Sequence, residues 1–262
     1  MVTCLAVLTR LNQLDLCFRF PRSRADRESR PRPLLNPVVL PALTSYYFKG
    51  DSEYLWDIIS RIDVPLLCHT IIESFNQLIF GTPLLHHLIS RTENYKTPKS
   101  ANIQFCNGYV RVVIYFPLSI PCGRIELEIS CGPSGWQLPS LAQVWSSALS
   151  PLLTLKRLEF FDQRSHWQDD MEIAQWLEPL RPFISVKHLV LSTNLIRLLA
   201  PALQVIAEES MTEALPALER LSLRGQQPSG PVKEAIGKFI ATRQLFRRPI
   251  TADDGDNKWS EM

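Results

Sequence analysis

The chain has 262 residues, 45% of them hydrophobic and 21% charged, which is enough apolar material for a large core and too much for wholesale disorder. Its 28 basic and 26 acidic residues leave a formal net charge of +2, which excludes capture of nucleic acid or a membrane through a broad electrostatic field. The cysteines Cys4, Cys17, Cys68, Cys106, Cys122 and Cys131 contain no CxxC pair, and no run of about 18 apolar residues occurs, so reduced thiols and a cytoplasmic or nuclear protein are expected.

In chain order one phrase keeps returning: a leucine-like residue, two others, a second leucine-like residue, one other and a third, LxxLxL. Met1 to Phe20 opens apolar, but it lacks a basic leader and holds Arg10 and Asp15, so no secretory signal is expected. Within it LNQLDL supplies the first copy through Leu11, Leu14 and Leu16. Pro21 to Pro33, PRSRADRESRPRP, carries Arg22, Arg24, Arg27, Arg30 and Arg32 among three prolines and no large apolar residue, which predicts a loop insertion. A solvated loop outweighs a nuclear signal or an acidic partner's site there, because Asp26 and Glu28 dilute the charge.

LTSYYF repeats the phrase as Leu43, Tyr46 and Phe48. SEYLWDIISRI then places Tyr54, Leu55, Ile58, Ile59 and Ile62 on one helical stripe behind Asp51 or Ser52 as a cap. Weaker copies fall at Leu67, Thr70 and Ile72, around Ile103 with Phe105, and around Leu127 with Ile129. GPSGWQLPSLAQVW, with Gly132 and Gly135, reads as a turn feeding a helix that packs Leu141, Val144 and Trp145. LKRLEF (Leu155, Leu158, Phe160) precedes a second stripe, Ile173, Trp176, Leu177 and Leu180, entered through Asp169 or Asp170. VKHLVL (Val186, Leu189, Leu191) extends with Asn194 and Ile196 to LxxLxLxxNxL, in which the Asn side chain is expected to bond turn backbone. LERLSL (Leu218, Leu221, Leu223) leads to a last helix with Pro231 in its first turn and Ile236, Phe239 and Ile240 inward. Thr251 to Met262 is polar and is expected to be a disordered tail.

Taking the middle residue of each phrase as an anchor gives Leu14, Tyr46, Thr70, Ile103, Leu127, Leu158, Leu189 and Leu221, 24 to 33 residues apart. That is the period of a leucine-rich solenoid. On a strand the last two apolar residues share one face and the residue between them points to the other. The residue before each anchor is Gln13, Ser45, His69, Asn102, Glu126, Arg157, His188 or Arg220, polar throughout, as a one-sided sheet requires. The helices between are the crossovers that parallel strands need. The expected fold is therefore α/β, an irregular leucine-rich-repeat-like solenoid over residues 1–250 with a curved parallel sheet and helices on the outer face. Its concave sheet face, with Asp15, Tyr47, Gln104, Glu128, Glu159, His188, Arg220 and Ser222, is the candidate protein-binding surface.

Catalysis finds little support. Cys68 and His69 are adjacent, and neighbours on a strand face opposite ways, so a thiolate–imidazole pair is not expected. His86 and His87 lack the spacing and the companion ligands of a zinc site. His166, Asp169 and Asp170 come together, but carboxylates opening a helix are explained by capping and the helix dipole. No GxxxxGK, GxGxxG or GxSxG occurs, so no phosphate cradle or nucleophile elbow is expected. The chain is read as no enzyme, without a cofactor or metal, and an unrecognised hydrolase is the alternative.

On these residues the chain resembles the leucine-rich-repeat region of F-box-like proteins from mushroom-forming fungi. The resemblance is carried by LPALTSYYFKGDSEYLWDIISRIDVPLL (Leu40 to Leu67), FNQLIFGTPLL, ISRTENYKTP, WQLPSLAQVWSSALSPLLTLKRL, HWQDDMEIAQWLEPLRPF and EALPALERLSLRGQQPSGPVKEAIGKFIATRQL, and it covers most of the chain from Leu8 to Ile250. It implies a substrate-selecting repeat domain that in complete members follows an F-box, the part that docks on the adaptor of a cullin-type ubiquitin ligase. No F-box phrase opens this sequence, so a ligase adaptor is expected as a partner only if an F-box lies upstream. A truncated paralogue or fragment with no ligase role is the alternative. Otherwise the partner is an unidentified protein, with neither nucleic acid nor membrane expected.

Overall fold

The computed structural model describes residues 5, 7–18, 37–74, 88–117, 123–130, 137–139, 141–142, 154–163, 173–208, 214–225 and 230–253. The Arg/Pro-rich stretch 21–33, the capping candidates Asp169 and Asp170, the pair His86 and His87, and His166 lie outside them.

Alternating apolar and polar residues build one large, mostly parallel sheet of ten described strands. In chain order the twelve strands are β1 (Gln13–Cys17), β2 (Val38–Val39), β3 (Ser45–Gly50), β4 (Ile62–Asp63), β5 (His69–Ser74), β6 (Ser100–Cys106), β7 (Tyr109–Phe116), β8 (Gly123–Ser130), β9 (Arg157–Asp162), β10 (His188–Ser192), β11 (Arg220–Arg224) and β12 (Thr251–Asp253). The large sheet runs β1-β3-β5-β8-β7-β6-β9-β10-β11-β12 and stays open at β1 and β12, while β2 and β4 form a separate parallel pair. Four described helices accompany it: α1 (Ser52–Ile59), α2 (Ile173–Leu180), α3 (Thr193–Glu208) and α4 (Pro231–Leu245). Among the described residues no helix is long and apolar enough to cross a membrane.

The anchors align laterally. Leu14 pairs with Tyr46 and Tyr46 with Thr70, and across the sheet Leu158 pairs with Leu189 and Leu189 with Leu221. These side chains are buried in one continuous core together with Leu55, Ile58 and Ile59 of α1, Trp176 and Leu180 of α2, Leu195, Ile196, Leu199 and Leu203 of α3, and Ile236 and Phe239 of α4. Covering one face of a sheet with amphipathic helices removes that apolar surface from water, which is the main driving force for the fold.

The middle of the sheet departs from a simple succession of coils. The rung shared by Thr70 and Leu158 is filled by Ile125 and Ala101, not by the expected Leu127 and Ile103. The error is two residues in each strand, and a shift of two keeps every side chain on its face, so the alternation could not expose it. Between these strands stands β7, which the phrase search does not contain, antiparallel to both β6 and β8. It buries Val110, Val112, Ile114 and Phe116 on the core side, and a two-residue turn, Asn107–Gly108, joins it to β6. Gly108 has φ +82, the left-handed conformation such a turn demands and glycine supplies without steric cost. Spatial order therefore reverses across β6, β7 and β8. The crossovers β5 to β6 and β8 to β9 each pass over two strand positions, where a regular coil would step to its neighbour.

Three local expectations change. Ile62, the last residue of the first helical stripe, lies beyond α1 in β4 and is buried there. Asn194 is exposed in the first turn of α3; its neighbour Thr193 makes the backbone bond, its hydroxyl donating to Arg224 O at 2.9 Å. The tail expected from Thr251 begins as β12, which pairs in register with β11 from Arg220 and Thr251 onward, where the ladder bond from Thr251 N to Glu219 O and the burial of Ile250 and Ala252 oppose the cost of ordering the strand. At the same end Arg243 of α4 is buried, and its Nη2 donates to Leu218 O at 3.1 Å and to Leu215 O and Pro216 O at 3.5 Å. That guanidinium satisfies the carbonyls of the bend entering β11, where Leu215 has φ +49.

Candidate functional site

The face of the sheet turned away from the described helices carries the residues that alternate with the core. Register arranges them in lateral rows. The first holds Ser45, His69, Arg124, Tyr115, Ser100, Arg157, His188 and Arg220; the second holds Asp15, Tyr47, Ile71, Glu126, Val113, Asn102, Glu159, Val190 and Ser222. Charged groups of the first row are therefore all basic, and those of the second all acidic. Val113 and Val190 are only 2% and 1% exposed, yet neither belongs to the helix-side core.

All eight residues expected on this face are on it. They do not form one compact cluster: at about 4.8 Å per strand, Asp15 and Ser222 stand eight strand positions and roughly 38 Å apart. Glu159, His188, Arg220 and Ser222 share the three neighbouring strands β9, β10 and β11. Tyr47 donates its hydroxyl to Glu73 Oε1 at 2.9 Å, and Lys49 Nζ lies 2.5 Å from Glu73 Oε2. Burial, then the bond to Glu73, pushes the Tyr47 phenol up, and the same carboxylate raises the Lys49 ammonium. Glu128 receives Arg111 Nη2 at 3.1 Å while Arg111 Nε lies 3.1 Å from Glu126 Oε1, and Glu126 also pairs with Arg124. Gln104 sits opposite Arg111.

Sequence reading missed Arg111, Arg124 and Arg224 and, while placing Arg157 on the polar face, left it out of the candidate surface; these four cations organise this face. The signal was present as Arg-x-Glu in RIELE and RLEFF, which sets both charges on one side of a strand, two residues apart. Arg111 belongs to the overlooked β7.

The arrangement nearest to catalytic chemistry is on β9 to β11. His188 Nε2 lies 2.6 Å from Ser222 Oγ, the spacing of a base and a hydroxyl nucleophile. Its other nitrogen, Nδ1, lies 3.2 Å from Arg157 Nη1, and Arg157 is itself held by Glu159 Oε1, 2.5 Å from its Nε. An arginine can only donate, so Nδ1 accepts, the ring proton sits on Nε2, and Nε2–H donates to Ser222. That is the wrong tautomer for taking a proton from the serine, since a triad needs a carboxylate acceptor where Arg157 stands. Burial first, then Arg157 and Arg220, lowers the His188 pKa from its ordinary value and keeps the ring neutral.

No protein-family model, curated protein or solved structure matches this chain. Among the described residues the remaining chemistry-bearing side chains do not converge. Cys68 Sγ donates to Thr44 O at 3.3 Å and burial raises its thiol, while Cys17, Cys68 and Cys106 are all free. Among the described residues no group of three or more His, Cys, Asp or Glu side chains is placed to hold a metal.

What this face offers is a preorganised polar surface. Its pairs are fastened within the sheet, and Arg224 lies over the Phe161 ring at 5.3 Å from its centroid, with Arg111 over Tyr109 at 5.8 Å. Arginine and aromatic side chains held in fixed rotamers form contacts at low entropic cost.

Proposed function

We propose that the chain is a non-catalytic protein–protein interaction scaffold and that the sheet face turned away from the described helices receives the partner. The observation that carries this reading is the face itself: ten described strands in register, with Arg111 of β7 tied to Glu126 and Glu128 of β8 and Arg157 tied to Glu159 within β9, all on that face. Fixed charge rows favour a partner of complementary pattern and penalise others, which gives specificity more than raw affinity.

Two extensions belong to the same proposal. The runs β1-β3-β5 and β9-β10-β11-β12 are leucine-rich-repeat coils of one irregular solenoid, interrupted by the β6–β8 meander; the lateral alignment of Leu14 with Tyr46 and of Leu158, Leu189 and Leu221 supports this. The resemblance to F-box-like repeat regions extends the role to substrate recognition within an F-box-type ubiquitin ligase receptor, in the cytoplasm or nucleus. The ligase adaptor would then be held by an F-box and not by this sheet.

The test is affinity capture with the native chain and with a charge-reversed variant carrying Glu128→Lys and Glu159→Lys. The variant is expected to lose partners that the native chain retains, with Arg220→Glu, a change at an exposed side chain, reproducing the loss. An unchanged set of captured proteins with all three substitutions would refute the sheet face as the binding surface.

A further inference from the structure

The sheet ends at β1 and at β12, and these two edges offer very different hydrogen-bonding capacity. In a parallel pair alternate residues bond to the neighbour and the others point their N–H and C=O away from it. On β1 the inward residues are even-numbered: Asn12 O accepts from Ser45 N at 3.1 Å, and Phe18 N donates to Lys49 O at 2.8 Å. The backbone groups of Gln13, Asp15 and Cys17 therefore point outward, and no described residue bonds to them. At the other end Thr251 N donates to Glu219 O at 3.0 Å, so Thr251 and Asp253 face β11 and Ala252 alone faces out. Among the described residues the β12 edge offers one outward position, whereas β1 presents three donors and three acceptors in a row.

Sheet edges are commonly guarded by proline, lysine, a bulge or brevity. Among the described residues no proline, lysine or bulge guards β1, whose five residues pair with β3 without interruption. Its only charge is Asp15, exposed at the centre of the edge on the open face, with Leu14 and Leu16 on either side directed to the core face. The turn entering the strand sends Leu5 into the core but leaves Val7 79% and Leu8 44% exposed.

We propose that the outward edge of β1 is a docking site for an extended segment of a partner protein that carries a lysine or arginine between two apolar residues. Such a segment adds a strand by β-augmentation. Its apolar residues continue the rungs of Leu14 and Leu16, and its cation lies opposite Asp15. A second copy of this chain is the poorer occupant. Antiparallel pairing of two β1 strands about their centres sets the two Asp15 carboxylates against each other, which is destabilising for directly opposed like charges.

The test is fluorescence anisotropy of the full chain with a labelled Gln-Thr-Val-Lys-Val-Thr-Gln peptide and with the same peptide bearing glutamate for lysine. The lysine peptide is expected to bind about fivefold tighter, the ratio that one solvent-facing charge pair supports. Asp15→Lys should invert that preference. Asp15→Pro removes the outward N–H at the centre of the edge without touching a bond to β3, so it should weaken both peptides at least about tenfold while the unfolding transition stays in place. Gln13→Pro acts at a second outward position and guards against a local misfold at position 15. Equal binding of the two peptides, no inversion with Asp15→Lys, native binding by both proline variants, or no binding of either peptide to the native chain would each overturn the proposal. The site is independent of the sheet-face reading. The Glu128→Lys, Glu159→Lys variant should bind the lysine peptide as the native chain does, and loss of binding there would instead place the peptide on the open face and overturn the edge assignment.

Discussion

Burial, and after it the Arg157 guanidinium, sets the protonation of His188, and through it the chemistry open to Ser222. Because the guanidinium occupies Nδ1, the imidazole is neutral and a donor to serine, and adding a proton would set a cation between Arg157 and Arg220, with Glu159 and Asp253 opposing only in part. The sign of the pH effect follows. The folded pKa lies below the unfolded value near 6.5, so above about pH 6.5 both states are neutral at this residue and it has no influence. As pH falls through that value the unfolded chain takes up a proton that the folded chain refuses, and stability declines until the lowered folded pKa is reached, below which the loss is complete. Denaturant unfolding of native chain and His188→Gln at pH 5 to 8 should show a shallower acid-side decline in the variant. Parallel curves would mean that His188 titrates alike in both states. At this scale much was legible in advance: simple alternation put His188, Ser222, Glu159 and Arg220 on one face. What alternation cannot supply is which neighbour each meets, since Arg157 reaches His188 through register between strands 31 residues apart.

Turns show how element boundaries were legible or lost. The Asn107–Gly108 pair is a strong hairpin signal, and reading it would have found β7, but a search for LxxLxL has no place for VRVVIYF, which packs branched residues in the core without a leucine. The offset at Ala101 and Ile125 has a similar cause, because an alanine on the core rung looks like no anchor, and Ile103 two residues on satisfies the same pattern. Two glycines near strand ends make the physical point testable. Gly108 has φ +82 with nothing within 4 Å of an added Cβ, so Gly108→Ala costs the left-handed conformation alone, about 1 kcal/mol. Gly225 has φ +115, and an added Cβ would lie 2.4 Å from Thr193 Oγ1, the hydroxyl that ties the start of α3 to Arg224 O. Gly225→Ala must displace that side chain as well, and a total cost of about 2 to 4 kcal/mol is expected from conformational strain plus the loss of that exposed bond. Chemical denaturation of the two variants should rank Gly225→Ala as clearly less stable; equal losses would show that Thr193 moves without penalty.

On the scale of the whole molecule, the meander changes how the sheet holds together. In an array of successive coils each strand touches the next in sequence, and stability is close to a sum over neighbours. Here β8 closes on β5 and β6 closes on β9, so the two runs of parallel strands are joined through a hairpin whose strands pair in antiparallel ladders along their whole length. The central strand β7 pairs with β8 along all eight of its residues and with β6 along seven, whereas β1 leaves the backbone groups of Gln13, Asp15 and Cys17 to solvent among the described residues, and β12 has three described residues on the opposite edge. Opening β7 requires breaking two ladders and exposing Val112, Ile114 and Phe116, while opening either edge breaks one. Native-state hydrogen exchange should therefore find the amides of Val110 to Tyr115 the most protected, exchanging only through global unfolding, and those of Gln13 to Cys17 and Thr251 to Asp253 exchanging orders of magnitude faster. If the β1 amides were as slow as those of β7, the edge would be covered by something other than solvent. If β7 were fast while β9 to β11 stayed slow, the two runs would be separate cooperative units and the meander a link between them instead of the centre of one core.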